Sequence, residues 1–244
     1  RQSSVSVRNH GQSDLFLYSF QSRSYQNLTN DFYDDYGPRF MNNQKDIIFS
    51  SNRPGDSLDS ENKFFNIQNQ PNYDLFVFHY AAKEKQLLRV TYTPFANEKE
   101  VRISGKNQII YLSDDNGIYN RYVAKFDSTI TKIDTIIHYA YFAKSVPLTD
   151  LGYSIIEHDY IPGKNRLGDL ILNNKVKRLY KQTPNFQNTI SKMSKTEQQL
   201  YLEKNSARID SMKKNILIPE KPKVKDIVKK IKKMYKFSVM YISN

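Results

Sequence analysis

GQSDLFLYSF (residues 11–20), NLTNDFYDDYGPRF (27–40) and DIIFSSNR (46–53) are the stretches that decide the fold. An acidic residue opens a strand-like apolar run, Asp14–Tyr18, and a polar turn leads to Asn27-Leu28-Thr29. A second apolar run, Ile47–Ser50, ends on Ser51-Asn52. The order returns further along the chain. Asp74–Phe78 matches Asp14–Tyr18, Arg89-Val90-Thr91 matches Asn27-Leu28-Thr29, and Gln108–Asp114 matches Asp46–Asn52. A fainter third copy has Asn120–Ala124 and a later strand at Gly152–His158, and a fourth begins at Asp169–Leu172. First-strand starts are therefore expected at Asp14, Asp74, Asn120 and Asp169.

Repeats of this length, each with several short strands, fit propeller blades better than a sandwich. The apolar runs are continuous instead of alternating, as expected where a sheet is covered on both faces. Asp114-Asp115-Asn116-Gly117 reads as a hairpin turn, because Asn-Gly supplies the positive φ values of a tight turn. Pro38, Pro54 and Pro162 are expected between strands. The 18 Tyr and 14 Phe in 244 residues suit a sheet protein, since aromatic side chains pack well on pleated surfaces.

After about Gln182 the pattern changes. Residues 185–244 hold 14 Lys and Arg against 5 Asp and Glu, a net of +9 out of +12 for the chain. Ser194-Lys195-Thr196-Glu197 reads as a capping box with Ser194 at the cap, followed by a helix over 195–214. Pro219 and Pro222 break it. A second helix over 223–236 places Val224, Ile227, Val228, Ile231 and Tyr235 on one face. Lys229, Lys230, Lys232 and Lys233 then concentrate charge and are the candidate partner-binding residues. Two readings stand for them: a solvated helical face, or a patch for an acidic protein or a membrane surface. Nucleic acid is not expected, because the tail has little arginine for base reading and no aromatic RNP signature. Phe237–Ile242 reads as a strand.

The chemistry-bearing residues are sparse. There is no cysteine, which excludes disulfides and thiolate metal sites. His10, His79, His138 and His158 show no ligand spacing and read as strand or loop histidines. No nucleophile elbow occurs, and Gly152-Tyr153-Ser154-Ile155-Ile156 lacks its second glycine, so Ser154 reads as a packed serine. No phosphate-binding glycine loop is present, and no cofactor is expected. Asp31, Asp34 and Asp35 form the densest acidic cluster. It could hold Ca²⁺, but its spacing is not that of an EF-hand, and capping of turn N–H groups is the preferred reading. Arg53 is expected to form a structural ion pair. No apolar run reaches the roughly 18–20 residues that span a bilayer. No signal peptide is visible at Arg1–His10, so the chain reads as mature, trimmed, or a piece of a longer one.

Residues 11–53 resemble the TolB-like (WD-type) β-propeller repeat. The resemblance rests on Asp14–Tyr18, Leu28-Thr29-Asn30, Asp31–Asp35 with Pro38, and Ile47–Ser50, and residues 73–126 resemble it too. The second copy lacks the proline, the third has lost most of the motif, and residues 185–244 do not match. The resemblance implies an all-β fold of propeller blades over 1–184, three repeats and the start of a fourth. The ring is incomplete in this chain and needs further segments or blades. The lysine-rich α-helical segment 185–244 is then an insertion or the start of another domain. The large TolB-like proteins of Bacteroidota cell envelopes are similar. They imply a non-catalytic scaffold binding protein partners in a periplasmic or outer-membrane complex. The alternative is the substrate-gating propeller of a prolyl-oligopeptidase-like serine peptidase whose catalytic domain lies elsewhere.

Overall fold

A computed structural model of the chain describes residues 2–9, 11–58, 72–82, 84–93, 95–133 and 137–215. Strands dominate. Sheet I holds β1 (Gln2–Asn9), β2 (Gln12–Ser19) and β3 (Ser24–Asn27), in that order. Sheet II holds β4 (Asp35–Met41), β5 (Asp46–Ser51), β6 (Asp74–Phe78) and β7 (Leu87–Arg89). Sheet III holds β8 (Glu98–Gly105), β9 (Gln108–Ser113), β10 (Asn120–Ile133) and β11 (Ile137–Pro147). Sheet IV holds β12 (Ile155–Ile161), β13 (Arg166–Asn173) and β14 (Val176–Gln182). Every neighbour is antiparallel and consecutive in the chain, so the expectation of an all-β body holds.

The sheets share one plan. In β4, β8 and β12 the pairing to the next strand slips by one residue near the strand start. At these bulges Gly37 and Glu100 take positive φ, at +59° and +54°. Pro38 sits inside β4 at this bulge and not between strands, where its missing N–H costs the ladder nothing. Aligning on register makes Asp35, Glu98 and Ile155 equivalent, and likewise Ser51, Ser113 and Ile171. By the same register β1 corresponds to the second strands β5 and β9, and β2 to the third strands β6 and β10. The strands containing Asp14, Asp74 and Asn120 are therefore third strands, and Asp169 falls on a second strand. None of them is the first strand expected from the sequence. Those are β4, β8 and β12, with β4 lying beside β8 and β8 beside β12.

Successive sheets bury a layer of side chains between them. Leu15 of sheet I packs on Ile47, Phe49, Phe76 and Phe78 of sheet II. Ile48, Leu75 and Val77 on the other face of sheet II meet Ile109, Tyr111 and Tyr122 of sheet III. Ile110, Leu112 and Val123 meet Leu167, Ile155 and Ile171 of sheet IV. β5 is buried along its whole length, which is why its sequence is a continuous apolar run. Phe49 and Tyr111 occupy equivalent buried positions, as the repeat requires.

Turns follow their residues. Asn174 and Lys175, both at positive φ, close the two-residue hairpin between β13 and β14. The expected hairpin at residues 114–117 does join the paired strands β9 and β10, but only Gly117 has positive φ (+90°). Its N–H bonds Asp114 O at 2.6 Å.

The first compact unit runs through Leu202, past the boundary expected at residue 184. Phe186 packs beside Tyr160 at 5.4 Å between ring centroids, and Met193 joins the layer between sheets II and III. The helix α1 spans Glu197–Asn215. Its cap is Thr196 and not Ser194: Thr196 Oγ1 accepts from Gln199 N at 3.3 Å, and Thr196 O from Leu200 N at 3.0 Å. Ser194 instead donates its N–H to Asp150 Oδ2 and accepts at its carbonyl from Asn116 Nδ2. Of the second unit, Glu203–Asn244, the structure describes residues 203–215. The expected helix 223–236 with Lys229, Lys230, Lys232 and Lys233, the breaks at Pro219 and Pro222, and the strand Phe237–Ile242 lie outside the described residues.

Candidate interaction face

The polar residues that recur in the sequence hold the sheets together. Thr29, Thr91 and Thr149 each offer Oγ1 to a third-strand N–H, of Leu15, Leu75 and Arg121, at 2.9, 2.8 and 2.8 Å. Just before each first strand a second side chain accepts from the preceding sheet. Asp34 Oδ1 takes Ser13 N, Asn97 Oδ1 takes Tyr73 N, and Ser154 Oγ takes Tyr119 N at 3.3 Å. Ser154 thus stands where the other junctions have an acid or an amide, and what that place needs is an acceptor. A hydroxyl supplies one.

The acidic cluster divides its work. Asp31 Oδ1 caps Tyr33 N at 2.9 Å, and Asp34 makes the inter-sheet bond above. Asp35 receives both bonds of Arg53 Nη2 at 2.8 Å, while Arg53 Nη1 reaches Asp31 at 3.0 Å. Burial pulls the Arg53 guanidinium down, but the two carboxylates outweigh it and hold it above its usual value. Burial, with Asp31 close by sharing the one guanidinium, pushes Asp35 up to about 6. Among the described residues no group of three acidic or histidine side chains could hold a metal ion.

At the place equivalent to Asp35, Glu98 lies buried without an arginine. It accepts from Thr93 at 2.5 Å, Ser113 at 3.1 Å and Thr91 at 3.2 Å, and burial pushes its carboxyl up to about 8. Sequence reading missed it, because a lone glutamate after Asn97 carries no pattern. A third polar knot joins sheets III and IV. Arg121 pairs with Asp169, and Asp169 also accepts from Gln182 Nε2 at 2.6 Å. Arg121 Nε donates to His158 Nδ1 at 3.3 Å, and His158 Nε2 donates to Glu100 O at 2.5 Å. Burial and the adjacent Arg121 push His158 down to about 3, so it is a neutral acceptor at this knot. His79 Nδ1, just after β6, pairs with Asp46 at the start of β5 at 2.7 Å. His10 lies outside the described residues, and only the backbone of His138, in β11, is described.

With these groups engaged in structure, the feature left over is a surface. On the side of sheet I away from sheet II, Val5, Val7, Phe16, Tyr18, Phe20 and Tyr25 line a groove of about 700 Å³. Tyr25 is 75% exposed and Phe20 54%. Register makes Val5, Phe16 and Tyr18 the counterparts of Phe49, Phe76 and Phe78 in sheet II, and of Tyr111, Tyr122 and Ala124 in sheet III. All six of those counterparts are buried. The signal in the sequence is the alternation Ser3-Ser4-Val5-Ser6-Val7 beside Phe16 and Tyr18, which marks an apolar face without saying what covers it. The candidate lysines of the tail are not part of this face, as they lie outside the described residues.

No family model matches the sequence, and no curated protein matches it. Among solved structures, TolB from Acinetobacter baumannii is similar, with a TM-score of 0.46 and 12% identity over 75% of this chain. The match covers 41% of that protein, so the chain spans about two fifths of its length.

Proposed function

We propose that the four sheets are consecutive blades of a β-propeller and that the chain is a non-catalytic scaffold that binds protein through an uncovered blade face. One observation carries this reading: the exposed face of sheet I repeats, place for place, a face that the next two sheets bury against a neighbour. An apolar surface of that kind, left open, marks an interaction site. The up-and-down order of each sheet and the adjacency of the first strands β4, β8 and β12 support the propeller. The engagement of Ser154, His158, Asp35 and Arg53 in structural bonds supports a non-catalytic role. The resemblance of residues 11–53 to TolB-like repeats points to the bacterial envelope, periplasmic or at the outer membrane, as the setting. Lys229, Lys230, Lys232 and Lys233 would add a basic contact for an acidic partner surface, tested by reversing all four to Glu at low salt.

A photo-crosslinking residue at position 16 in the native host tests the main reading. It is expected to trap a protein, and Phe16→Arg to abolish the complex without unfolding the chain. An absence of any adduct at position 16, or turnover of an ester or peptide substrate that Ser154→Ala removes, would overturn the scaffold reading.

A further inference from the structure

The junctions of sheet I with sheet II and of sheet II with sheet III have two unlike halves. One side presents an aliphatic third-strand residue, Leu15 from sheet I and Leu75 from sheet II. The other receives it on an aromatic face, Phe49, Phe76 and Phe78 in sheet II and Tyr111 and Tyr122 in sheet III. Sheet I has the receiving half uncovered. Sheet IV has the presenting half uncovered. Pairing of Ile171 with Arg178 puts Leu179 at the place of Leu15 and Leu75, and Leu170, opposite Leu179, at the place of Leu112. Leu179 is 79% exposed. The described residues therefore carry both halves of a junction that they do not make with one another.

We propose that the occupant of the sheet I face is the sheet IV face of a second copy, so that two chains join head to tail. This rests on the reading of sheet I as an interaction face. Continuity with the junctions inside the chain selects this occupant, because Leu179 stands where the first two junctions place Leu15 and Leu75, and Leu170 where the third places Leu112. Head-to-tail contacts either close or propagate as filaments. Two copies of the four described sheets give eight, which is within the range of closed rings of this kind.

The test is the mass of the full chain in solution, by light scattering, for wild type, Phe16→Arg and Leu179→Arg. Wild type is expected at twice 28.7 kDa. Each variant is expected to be monomeric, with self-association weakened at least about tenfold. Circular dichroism should be unchanged, since Leu179 is exposed and Phe16, half-buried, lies on the open face of sheet I. A mixture of the two variants keeps one junction with both halves intact and is expected to regain a two-chain particle. A monomeric wild type overturns the proposal. So does a Leu179→Arg chain that stays dimeric, which would mean sheet I pairing with sheet I, or a mixture that stays monomeric. A monomeric wild type whose position 16 still crosslinks to another protein removes the second copy but leaves the scaffold reading intact.

Discussion

Arg121 occupies the place that Leu15 and Leu75 hold in the preceding junctions, and this makes its removal informative. It is 2% exposed and pairs with Asp169, also 2% exposed, across the layer between sheets III and IV. Arg121→Leu leaves a buried carboxylate with Gln182 as its remaining described donor. Breaking one partner of a buried pair costs about 3–5 kcal/mol, whereas replacing both by apolar groups is often neutral. The repeat supplies the replacements: leucine at 121, and at 169 the valine that sheet I carries as Val5. Arg121→Leu with Asp169→Val should therefore recover most of the loss. A residue of about 1–3 kcal/mol should remain, because His158 Nδ1 has lost its donor. Urea unfolding of wild type, both single variants and the double closes the cycle. Lowering the pH should narrow the penalty of Arg121→Leu, since burial already pushes the Asp169 carboxyl up and protonation removes the stranded charge. An Arg121→Leu chain within about 1 kcal/mol of wild type would refute a buried knot, since exposed pairs are worth no more than that. A double variant as weak as the single would refute Asp169 as the group left stranded.

Phe49→Ala, at a fully buried place facing Leu15, should cost about 3–5 kcal/mol by chemical denaturation. Gly117→Ala should destabilise by more than about 1 kcal/mol, because φ is +90° and the added Cβ would overlap Thr196 Oγ1. The same overlap should loosen the first turn of α1, read as lost helical dichroism. Glu98 should make stability fall as pH rises. Its carboxyl stands near 8 folded against 4.5 unfolded, so between those values the folded chain holds the extra proton, and stability is lost as pH climbs through 8. Glu98→Gln should flatten that slope in a melting series; an unchanged slope would assign it to another group.

The parts of this fold that were legible in the sequence are those where burial leaves no choice of residue. Ile47–Phe49 and Ile109–Leu112 are covered on both faces, so they had to be continuous apolar runs. The recurring Thr29 and Thr91 were legible because each caps the same N–H. That chemistry also misled. The caps lie in the connection between sheets, so the repeat seen in the sequence runs from the third strand of one sheet to the second strand of the next. The first strands were missed because bulges, Gly37, Pro38 and alternating exposure hide them. Asp169-Leu170-Ile171-Leu172 imitates the motif, yet its aspartate answers Arg121 across a junction instead of opening a third strand. The first-strand slot itself explains why the repeat fades. Asp35 fills it with an ion pair, Glu98 with a hydroxyl-bonded acid and Ile155 with an apolar side chain against Leu112. A buried slot demands only that whatever enters it be satisfied. Three different satisfactions of one backbone geometry leave the register intact and erase the sequence signal. Strand register places Val5, Phe16 and Leu179 on faces, and the stacking of sheets shows which of those faces stay open among the described residues.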